Sequence, residues 1–469
     1  MIARHHARRH NRMSLGVSPR FDLVVRNGTL VIPGVGTVAA DVGICGSRIA
    51  AVGDELSGSA QEVLDAGGKV VLPGIFDPHV HIGNELSFEQ EAQSETRAAI
   101  LGGVTTIGIM VRSLEDSYFL HLPAFRRAMD ETSYVDSVFH LQIFTEQQIA
   151  EMPDYARQYG VRSFKFYMSG IPGIVKSVTD DVLFAGFKQV ASIGADVVAC
   201  VHCETGALIE RARDELVARK PEGTLADWED AHPAVAEALA IRTAAYLAKL
   251  AAVHLYVVHV SSRQGLDAVR AARREGGRVT AETITPFLGI SSDDAIGLLA
   301  KMVPPVRTAE HRAALWDAIR DGTIDTVGTD NTSRRRASKR PEAGLHGSRP
   351  GHPSLGTHLP VLLHHGRQRG IALERLVDLA TRAPARAYGI FPRKGTIAPG
   401  SDADLVVVDL ELEKVVRAED LRGMSDFSPF EGKALRGWPV ATIKAGKLVA
   451  RDGKIVGEPS GRYLPRAAP

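Results

Sequence analysis

The sequence predicts an α/β fold: a (β/α)8 TIM-like barrel with a small β-sandwich domain built from both ends of the chain. Eight short apolar segments with the composition of strands, separated in many places by amphipathic helical stretches, indicate the barrel. Both terminal regions of the chain consist of short predicted strands separated by turns, and this shared pattern indicates the sandwich. The chain has 469 residues, 44% of them hydrophobic, which is enough for one domain of barrel size and a smaller one.

The chain is predicted to divide into a tail, a sandwich assembled from two separate segments, a barrel and a second tail. The first twenty residues are basic and rich in histidine, and they lack the apolar core of a secretory signal, so a disordered tail is expected there. The predicted parts are a disordered tail at 1–20, the sandwich at 21–68 and 392–457, the barrel at 69–391 and a C-terminal tail at 458–469.

The eight predicted barrel strands can be read directly from the apolar segments. They are Val70–Ile82, Val104–Val111, Val135–Ile143, Val161–Met168, Asp196–His202, Leu255–Ser261, Arg278–Ile284 and Asp325–Asp330. Amphipathic helical stretches between them include Glu89–Leu101, Pro233–Leu250, Gln264–Arg274 and Glu310–Arg320. In this fold the chemistry lies at the carboxyl ends of the strands. The residues at those ends are therefore the candidates for a functional site.

Polar residues with metal-binding side chains stand at the ends of four predicted strands. His79 and His81 end the first strand, one residue apart, and residues i and i+2 of a strand project to one face. His202, His259 and Asp330 end the fifth, sixth and eighth strands. Taken singly, each fits a core position or a helix cap. We expect all five side chains to lie at one rim of the barrel. Five potential ligands at one rim favour a metal site over unrelated core positions and helix caps.

Lys165 is the sixth candidate, because it lies inside the otherwise apolar fourth strand. A buried, unpaired ammonium is costly, and burial lowers the pKa of an amine until it becomes nucleophilic. Two cations held by four imidazoles and one carboxylate repel each other and need an anionic bridge. We therefore expect Lys165 to be carbamylated by carbon dioxide, with a hydroxide as the second bridge. Asp330 is the expected catalytic residue that moves the proton.

Several motifs of the chain resemble those of the cyclic amidohydrolases, with dihydropyrimidinases and hydantoinases first and allantoinases and dihydroorotases next. They include PGIFDPHVHIG, SFKFYM, VHCETGALI, LYVVHVSS and PRKGTIAPGSDADLVVVD. The resemblance implies hydrolysis of a ring amide bond in a small cyclic substrate, two divalent metal ions of the zinc type, N6-carboxylysine at Lys165 and a homotetramer. It also implies six metal ligands: His79, His81, Lys165, His202, His259 and Asp330.

The departures from the family pattern concern the substrate. The tyrosine that steadies the oxyanion in hydantoinases falls on Gly170, a serine falls on Val303, and a substrate-binding asparagine falls near Pro350. The usual Asp-His of strand eight is Asp330-Asn331. The interpretation is a relative with altered substrate preference, and the residues that bind the substrate stay unknown. The basic run Arg334–Arg336, with Lys339 and Arg340, reads either as a solvated loop, which is favoured, or as an anion site.

Composition excludes several function classes. Lys+Arg 56 against Asp+Glu 55 gives a formal net charge of +1, so no basic field for nucleic acid exists. No apolar run is long enough to span a membrane, and three cysteines do not form a disulfide framework, which favours a cytoplasmic enzyme. A homo-oligomer, dimer or tetramer, is expected. The alternatives are an allantoinase-like or dihydroorotase-like hydrolase, and a non-catalytic scaffold related to dihydropyrimidinases.

Overall fold

The computed structural model describes residues 20–56 and 58–466, so the predicted tail at 1–20 lies outside the described residues except for Arg20. Seven strands form the first part of the chain. They are β1 (Arg20–Arg26), β2 (Thr29–Ile32), β3 (Gly36–Ala39), β4 (Asp41–Cys45), β5 (Arg48–Gly53), β6 (Ser59–Asp65) and β7 (Val70–Pro73).

The central part of the chain alternates strands and helices. Its strands are β8 (Ile75–His81), β9 (Val104–Val111), β10 (Asp136–Gln142), β11 (Ser163–Tyr167), β12 (Val198–His202), β13 (His254–Val257), β14 (Val279–Ile284), β15 (Thr326–Gly328) and β16 (Asn331–Thr332). Its helices are α1 (Phe88–Leu101), α2 (Leu122–Thr132), α3 (Glu146–Tyr159), α4 (Asp180–Ile193), α5 (Gly206–Arg219), α6 (Ala234–Ala251), α7 (Arg263–Arg274), α8 (Thr285–Gly289), α9 (Ala309–Arg320), α10 (Arg336–Lys339), α11 (Gly344–Gly347), α12 (His358–Gln368), α13 (Leu373–Leu379) and α14 (Arg382–Ala387).

These nine strands form one curled parallel sheet in the order β15-β14-β13-β12-β11-β10-β9-β8-β16. The last two strands of the chain segment, β15 and β16, are separated only by Thr329 and Asp330. One pairs with β14 at one end of the sheet, and the other pairs with β8 at the opposite end. The predicted eighth strand is thus divided, and this arrangement fits a TIM-like barrel.

Two further sheets are built from both ends of the chain. The C-terminal part adds β17 (Leu405–Val415), α15 (Ala418–Leu421), β18 (Ala434–Lys444), β19 (Lys447–Arg451) and β20 (Lys454–Ile455). One sheet has the order β5-β4-β1-β6, and the other has the order β20-β19-β18-β17-β7-β2-β3. Buried apolar residues of both sheets, among them Leu23, Ile44, Val71, Leu405 and Ile443, form a single cluster.

The predicted strand Val70–Ile82 is wrong as a single element. Its first part, β7, pairs with β2 and β17 in the seven-stranded sheet, whereas β8 begins the parallel sheet. Gly74 makes the transition, and a Cβ there would lie 2.1 Å from Thr105 Oγ1, so the close approach requires glycine. Pro73-Gly74 marks a break in the sequence, but the pattern does not show that the two parts join different sheets, because both parts are buried and apolar.

A buried ionic cluster joins the parallel sheet to the C-terminal part of the chain. Lys394 Nζ lies 2.5 Å from Asp136 Oδ2 and 2.5 Å from Asp404 Oδ2, and Lys444 Nζ lies 3.0 Å from Asp136 Oδ2. Asp136 belongs to β10, and Lys444 ends β18. Within the described part of the chain, no helix combines the length and the apolar character that crossing a membrane requires.

Candidate metal centre

A small cavity of about 50 Å³ opens at the carboxyl ends of the parallel strands. Five of the six residues predicted from the sequence line it: His79, His81, His202, His259 and Asp330. All lie at or just after strand ends, as the fold requires. The structure therefore brings together side chains that are separated by up to 251 positions in the sequence, from His79 to Asp330.

His79, His81 and Asp330 form the tightest group. Asp330 Oδ1 lies 3.1 Å from Nε2 of each histidine, and the ligand atoms of the three residues lie within 4.8 Å of one another. Burial alone would raise the pKa of Asp330, but the two imidazoles outweigh burial and hold that pKa well below its usual range. Burial lowers the pKa of His81 to about 4. The group consequently offers a carboxylate, the neutral imidazole of His81 and a ring nitrogen of His79 to a cation.

His202 and His259 form the second group, with His202 Nδ1 at 2.9 Å from His259 Nε2. Glu204 Oε2 accepts a hydrogen bond from His202 Nε2 at 2.9 Å, so the lone pair of His202 is on Nδ1 and faces His259. The rings of His79 and His259 are stacked with centroids 5.5 Å apart, which joins the two groups. Burial lowers the pKa of His259 well below its usual value, so this imidazole is neutral.

Lys165 is fully buried in β11, on the side of the sheet that faces the histidines. Its Nζ has no hydrogen-bond partner among the residues that the structure describes, and it lies 5.0 Å from the centroid of the Tyr167 ring. Burial lowers the pKa of Lys165 to about 8. A buried amine without a partner is costly, which indicates that this side chain exists to bind something that the protein chain does not supply.

Two buried carboxylates orient the histidines. Glu282 Oε1 accepts a hydrogen bond from His79 Nδ1 at 2.8 Å and from the backbone N–H of His259 at 3.2 Å. His79 Nε2 is thereby turned toward the cavity, where Asp330 Oδ1 lies 3.1 Å away. Asp77 accepts hydrogen bonds from the backbone N–H of His79 and from Thr329 Oγ1, and burial raises its pKa to about 7. These contacts hold the first and eighth strand ends in register.

The donor set fits divalent metal ions. It combines four histidines held in defined orientations, one carboxylate and one amine, and the orphaned Lys165 Nζ points to a group that is absent from the chain itself. His259 and Asp330 also have positive φ values of 39° and 53°. Non-glycine residues rarely adopt this conformation, and it is typical of backbone strained at a functional site.

Three polar residues that the sequence did not single out line the same cavity: Arg112, Tyr167 and His352. Arg334, which the sequence offered only under the anion-site alternative, lines it as well. Tyr167 follows Lys165 by two positions, and its ring stacks on His202 with centroids 5.4 Å apart. Strand alternation could have found Tyr167, and the position at a strand end could have found Arg112. The loop residue His352 had no such signal.

The favoured interpretation of the basic run as a solvated loop is wrong for two of its residues. Arg334 is 5% exposed, and its Nε donates to Pro350 O at 2.7 Å. Lys339 is fully buried and donates to the carbonyls of Lys301, Arg349 and Gly351. The loop folds back over the strand ends, so these cations gain carbonyl partners instead of water. Arg335, Arg336 and Arg340 are exposed, as expected.

The structure shows where three of the residues that depart from the family pattern lie. Val303 and Pro350 line the cavity. Asn331 points away from it and is fully buried, where it donates to Glu95 Oε2 and accepts from the backbone N–H of Ser354. Asn331 therefore supports the loop after strand eight.

A parallel sheet with convergent imidazoles, a carboxylate and a buried amine at its carboxyl end defines the class of metal-dependent hydrolases. The sequence profile described as "Amidohydrolase family" matches residues 70–449. The chain therefore belongs to the amidohydrolase family.

Comparison with individual proteins agrees with this assignment. The chain is 37% identical to an allantoinase of Rubrobacter xylanophilus, across 95% of this chain and 97% of that protein. It is 33% identical to an L-hydantoinase of Paenarthrobacter aurescens, across 95% and 98%. The solved structure of an L-hydantoinase (dihydropyrimidinase) from Arthrobacter aurescens is 32% identical, with a TM-score of 0.88 and coverage of 94% and 99%.

Proposed function

We propose that this amidohydrolase opens a cyclic amide, of the hydantoin, dihydropyrimidine or related ureide or imide type, by hydrolysis of a ring carbon–nitrogen bond. The observation that carries the proposal is the convergence of His79, His81, His202, His259 and Asp330 on one cavity above the buried amine of Lys165. The hydantoinase and allantoinase relatives support the reaction class. The chain is thus a metal-dependent hydrolase of cyclic amides.

Two divalent metal ions, of the zinc type, are proposed as the cofactors, with His79, His81, His202, His259, Asp330 and carbamylated Lys165 as their ligands. The lowered pKa of Lys165 leaves part of the amine neutral near pH 8, and only the neutral amine adds carbon dioxide. A carbamate would replace the unpartnered ammonium by an anion beside the imidazole nitrogens. When bound, the metal pair lowers the pKa of a shared water and polarises the carbonyl of the substrate.

The side chains of the protein supply orientation and proton transfer. Asp330 is the proposed catalytic base: its carboxylate faces His79 and His81, takes the proton of the attacking water and delivers it to the leaving ring nitrogen. Glu282 and Glu204 keep His79 and His202 in fixed tautomers. The Tyr167 hydroxyl is the proposed donor to the carbonyl oxygen on which negative charge develops, in place of the phenol that is missing at Gly170.

An allantoinase-like activity is the second candidate, because the Rubrobacter allantoinase is 37% identical across nearly the whole chain. A dihydroorotase-like activity has the support of a Bacillus subtilis dihydroorotase at 33% identity. A non-catalytic scaffold would not need to retain every candidate ligand in one orientation around the cavity. The substrate spectrum and the metal content separate these alternatives.

The domain division and the assembly remain proposals of ours as well. We propose a β-sandwich at 21–68 and 392–457 that also includes β7, a (β/α)8 barrel formed by the remainder of 69–391, and a C-terminal tail at 458–469. The apolar cluster shared by the two terminal sheets supports the sandwich. A homo-oligomer is proposed, and the three free cysteines agree with the expected cytoplasmic compartment.

The experiment is a substrate screen on protein that is reconstituted with zinc and bicarbonate. Hydantoins, dihydropyrimidines, allantoin, dihydroorotate and cyclic imides are incubated, and ring opening is followed by absorbance or mass spectrometry. Metal content is measured on the same sample, and about two ions per chain are expected. Hydrolysis that Asp330→Asn abolishes supports the proposal. Protein that loads two metals and opens none of these rings would contradict the substrate class, and protein without metal would support the scaffold.

A further inference from the structure

A second, larger cavity of about 580 Å³ adjoins the metal-site cavity. Both cavities share one wall, which includes Asn84, Arg112, Arg334 and Val303. Three further cationic side chains line the larger cavity, Arg213, Lys301 and Arg349, and no aspartate or glutamate does. A substrate that reaches the metal centre through this space therefore passes a wall with one sign of charge.

Three donors in the shared wall come from three neighbouring strand ends. Asn84 follows β8, Arg112 follows β9 directly, and Arg334 follows the divided eighth strand, whose second half pairs with β8. Because β9, β8 and β16 are adjacent in the sheet, their carboxyl ends place these side chains at the same edge. The convergence is a property of the sheet order, as it is for the metal ligands.

Each of the three side chains keeps at least one donor group without a hydrogen-bond partner among the residues that the structure describes. Asn84 Nδ2 is buried and has no hydrogen-bond partner there. Arg112 is half-buried, and no ion pair or hydrogen bond of its guanidinium to a described residue is found. Arg334 uses Nε to bind Pro350 O, which leaves its terminal nitrogens free for another group. Unsatisfied donors beside a cavity indicate a ligand with acceptor atoms.

The acidic residues near this wall, Glu85 and Glu91, already accept hydrogen bonds from other groups of the protein. Glu91 accepts hydrogen bonds from the backbone N–H groups of Gly83, Glu85 and Leu86, and Glu85 accepts from Ser338 Oγ. Burial lowers the pKa of Arg334; Glu85 opposes this effect, while the nearby cations of Arg349 and Arg112 add to it. Glu85 and Glu91 do not line the larger cavity, so the charged side chains that face this space are cationic.

We propose that Asn84, Arg112 and Arg334 form a subsite for a carboxylate that the cyclic amide substrate carries on its ring or side chain. This inference rests on the proposed function and narrows its substrate class to anionic cyclic amides. A carboxylate presents two oxygens in one plane, which matches the paired N–H donors of a guanidinium, and the Asn84 amide supplies a third donor. Desolvation in the enclosed wall strengthens each of these hydrogen bonds.

The test compares two matched probes, hydantoin-5-acetate and its neutral counterpart hydantoin-5-acetamide, on the metal-loaded enzyme. The wild type is expected to prefer the acid in kcat/KM. Arg112→Gln is expected to lower kcat/KM for the acid by about 10- to 100-fold, since hydrogen bonds to charged groups are lost, and to leave the amide within about threefold. Arg335→Gln, which changes an exposed arginine of the same basic run, is the control and should alter neither value.

Binding separates failure of the subsite from failure of the proposed function. If neither probe is hydrolysed, calorimetric titration of the same pair measures affinity directly, and a preference for the acid that Arg112→Gln removes still supports the subsite. Equal affinity for acid and amide in the wild type overturns the inference, as does an Arg112→Gln variant that weakens both probes equally. Tighter binding of the corresponding methylphosphonate would overturn the assignment to a carboxylate.

Discussion

At the residue scale, the role of each candidate ligand depends more on the side chains around it than on its own residue type. His79 and His81 follow a simple i, i+2 rule that sequence alone reveals. The tautomer of His79, however, depends on Glu282, which is 203 positions away in the chain. Glu282 lies in the apolar strand β14 and carries the same signal as Lys165 in β11, a charged residue in a buried strand. That signal was used for the lysine and missed for the glutamate.

Tyr167 supports a prediction at this scale. Its ring packs against His202 and beside the Lys165 amine, it lines the metal-site cavity, and burial raises the pKa of its phenol, so the hydroxyl stays protonated and can donate. We expect Tyr167→Phe to lower kcat by about 10²-fold, because a donor to the developing oxyanion is removed, with little change in KM.

Steady-state kinetics on a substrate that the wild type hydrolyses, together with metal content, measure this effect. Tyr159→Phe, which removes a phenol at the end of α3 that lies outside both cavities, should match the wild type. Metal loss in Tyr167→Phe, or an unchanged kcat, would contradict the role of oxyanion donor.

At the element scale, the sequence predicted the helices and strands of the central region closely and their junctions less well. The helix predicted at Gln264–Arg274 runs from Arg263 to Arg274, because Ser262 accepts from the backbone N–H of Gly265 and starts it there. The predicted Leu255–Ser261 strand ends at Val257 instead, and His259 follows with φ of 39°. Local patterns record burial and periodicity, but they do not record a change of sheet or a strained strand end.

Helix α6 buries small side chains and exposes large apolar ones, and this leads to a prediction about how copies of the chain assemble. Its buried face consists largely of alanines, while Val235, Leu239, Tyr246 and Leu250 are 49–64% exposed. At about 100° per residue these four lie within about 60° of one another. We expect the same stripe of a second copy to cover this one, since an isologous contact is self-complementary.

The double variant Leu239→Glu/Tyr246→Glu should therefore reduce the molar mass in light scattering by one oligomeric step. The charged stripe repels its own copy and leaves the alanine face of α6 intact. Leu120→Glu is the control, because Leu120 is 71% exposed on another part of the surface. A double variant with the mass of the wild type would exclude α6 from the interface.

At the scale of the whole molecule, the cluster of Lys394, Lys444 and their aspartates connects the C-terminal part of the chain to the parallel sheet. Asp136 belongs to β10, while its partners belong to the segment before β17 and to β18. No pattern in the sequence predicts this cluster, because its charges are scattered over more than 300 positions. The apolar runs around each of them predict only burial.

Lys394→Met tests this connection. The substitution leaves Asp136 and Asp404 buried with Lys444 as the remaining lysine, and breaking a buried pair costs about 3–5 kcal/mol of unfolding free energy. We expect a fall in Tm of about 3–5 °C by differential scanning fluorimetry at pH 7, because in a chain of 469 residues about 1 kcal/mol corresponds to about 1 °C. Lys176→Met removes an exposed ion pair with Glu115 and should leave Tm unchanged.

The effect of Lys394→Met on Tm should depend on pH, and the pKa of Asp136 gives the direction of that dependence. Burial alone would raise the pKa of Asp136, but Lys394 and Lys444 outweigh burial and lower that pKa to about 2. Because this pKa lies below the ordinary value of about 4, the stabilisation is present above about pH 4 and is lost as the pH falls toward 2. The difference in Tm between wild type and Lys394→Met should therefore narrow on acidification. A difference that is constant from pH 7 to pH 3 and below would show that the cluster does not carry the stability, because protonation of Asp136 would then release nothing.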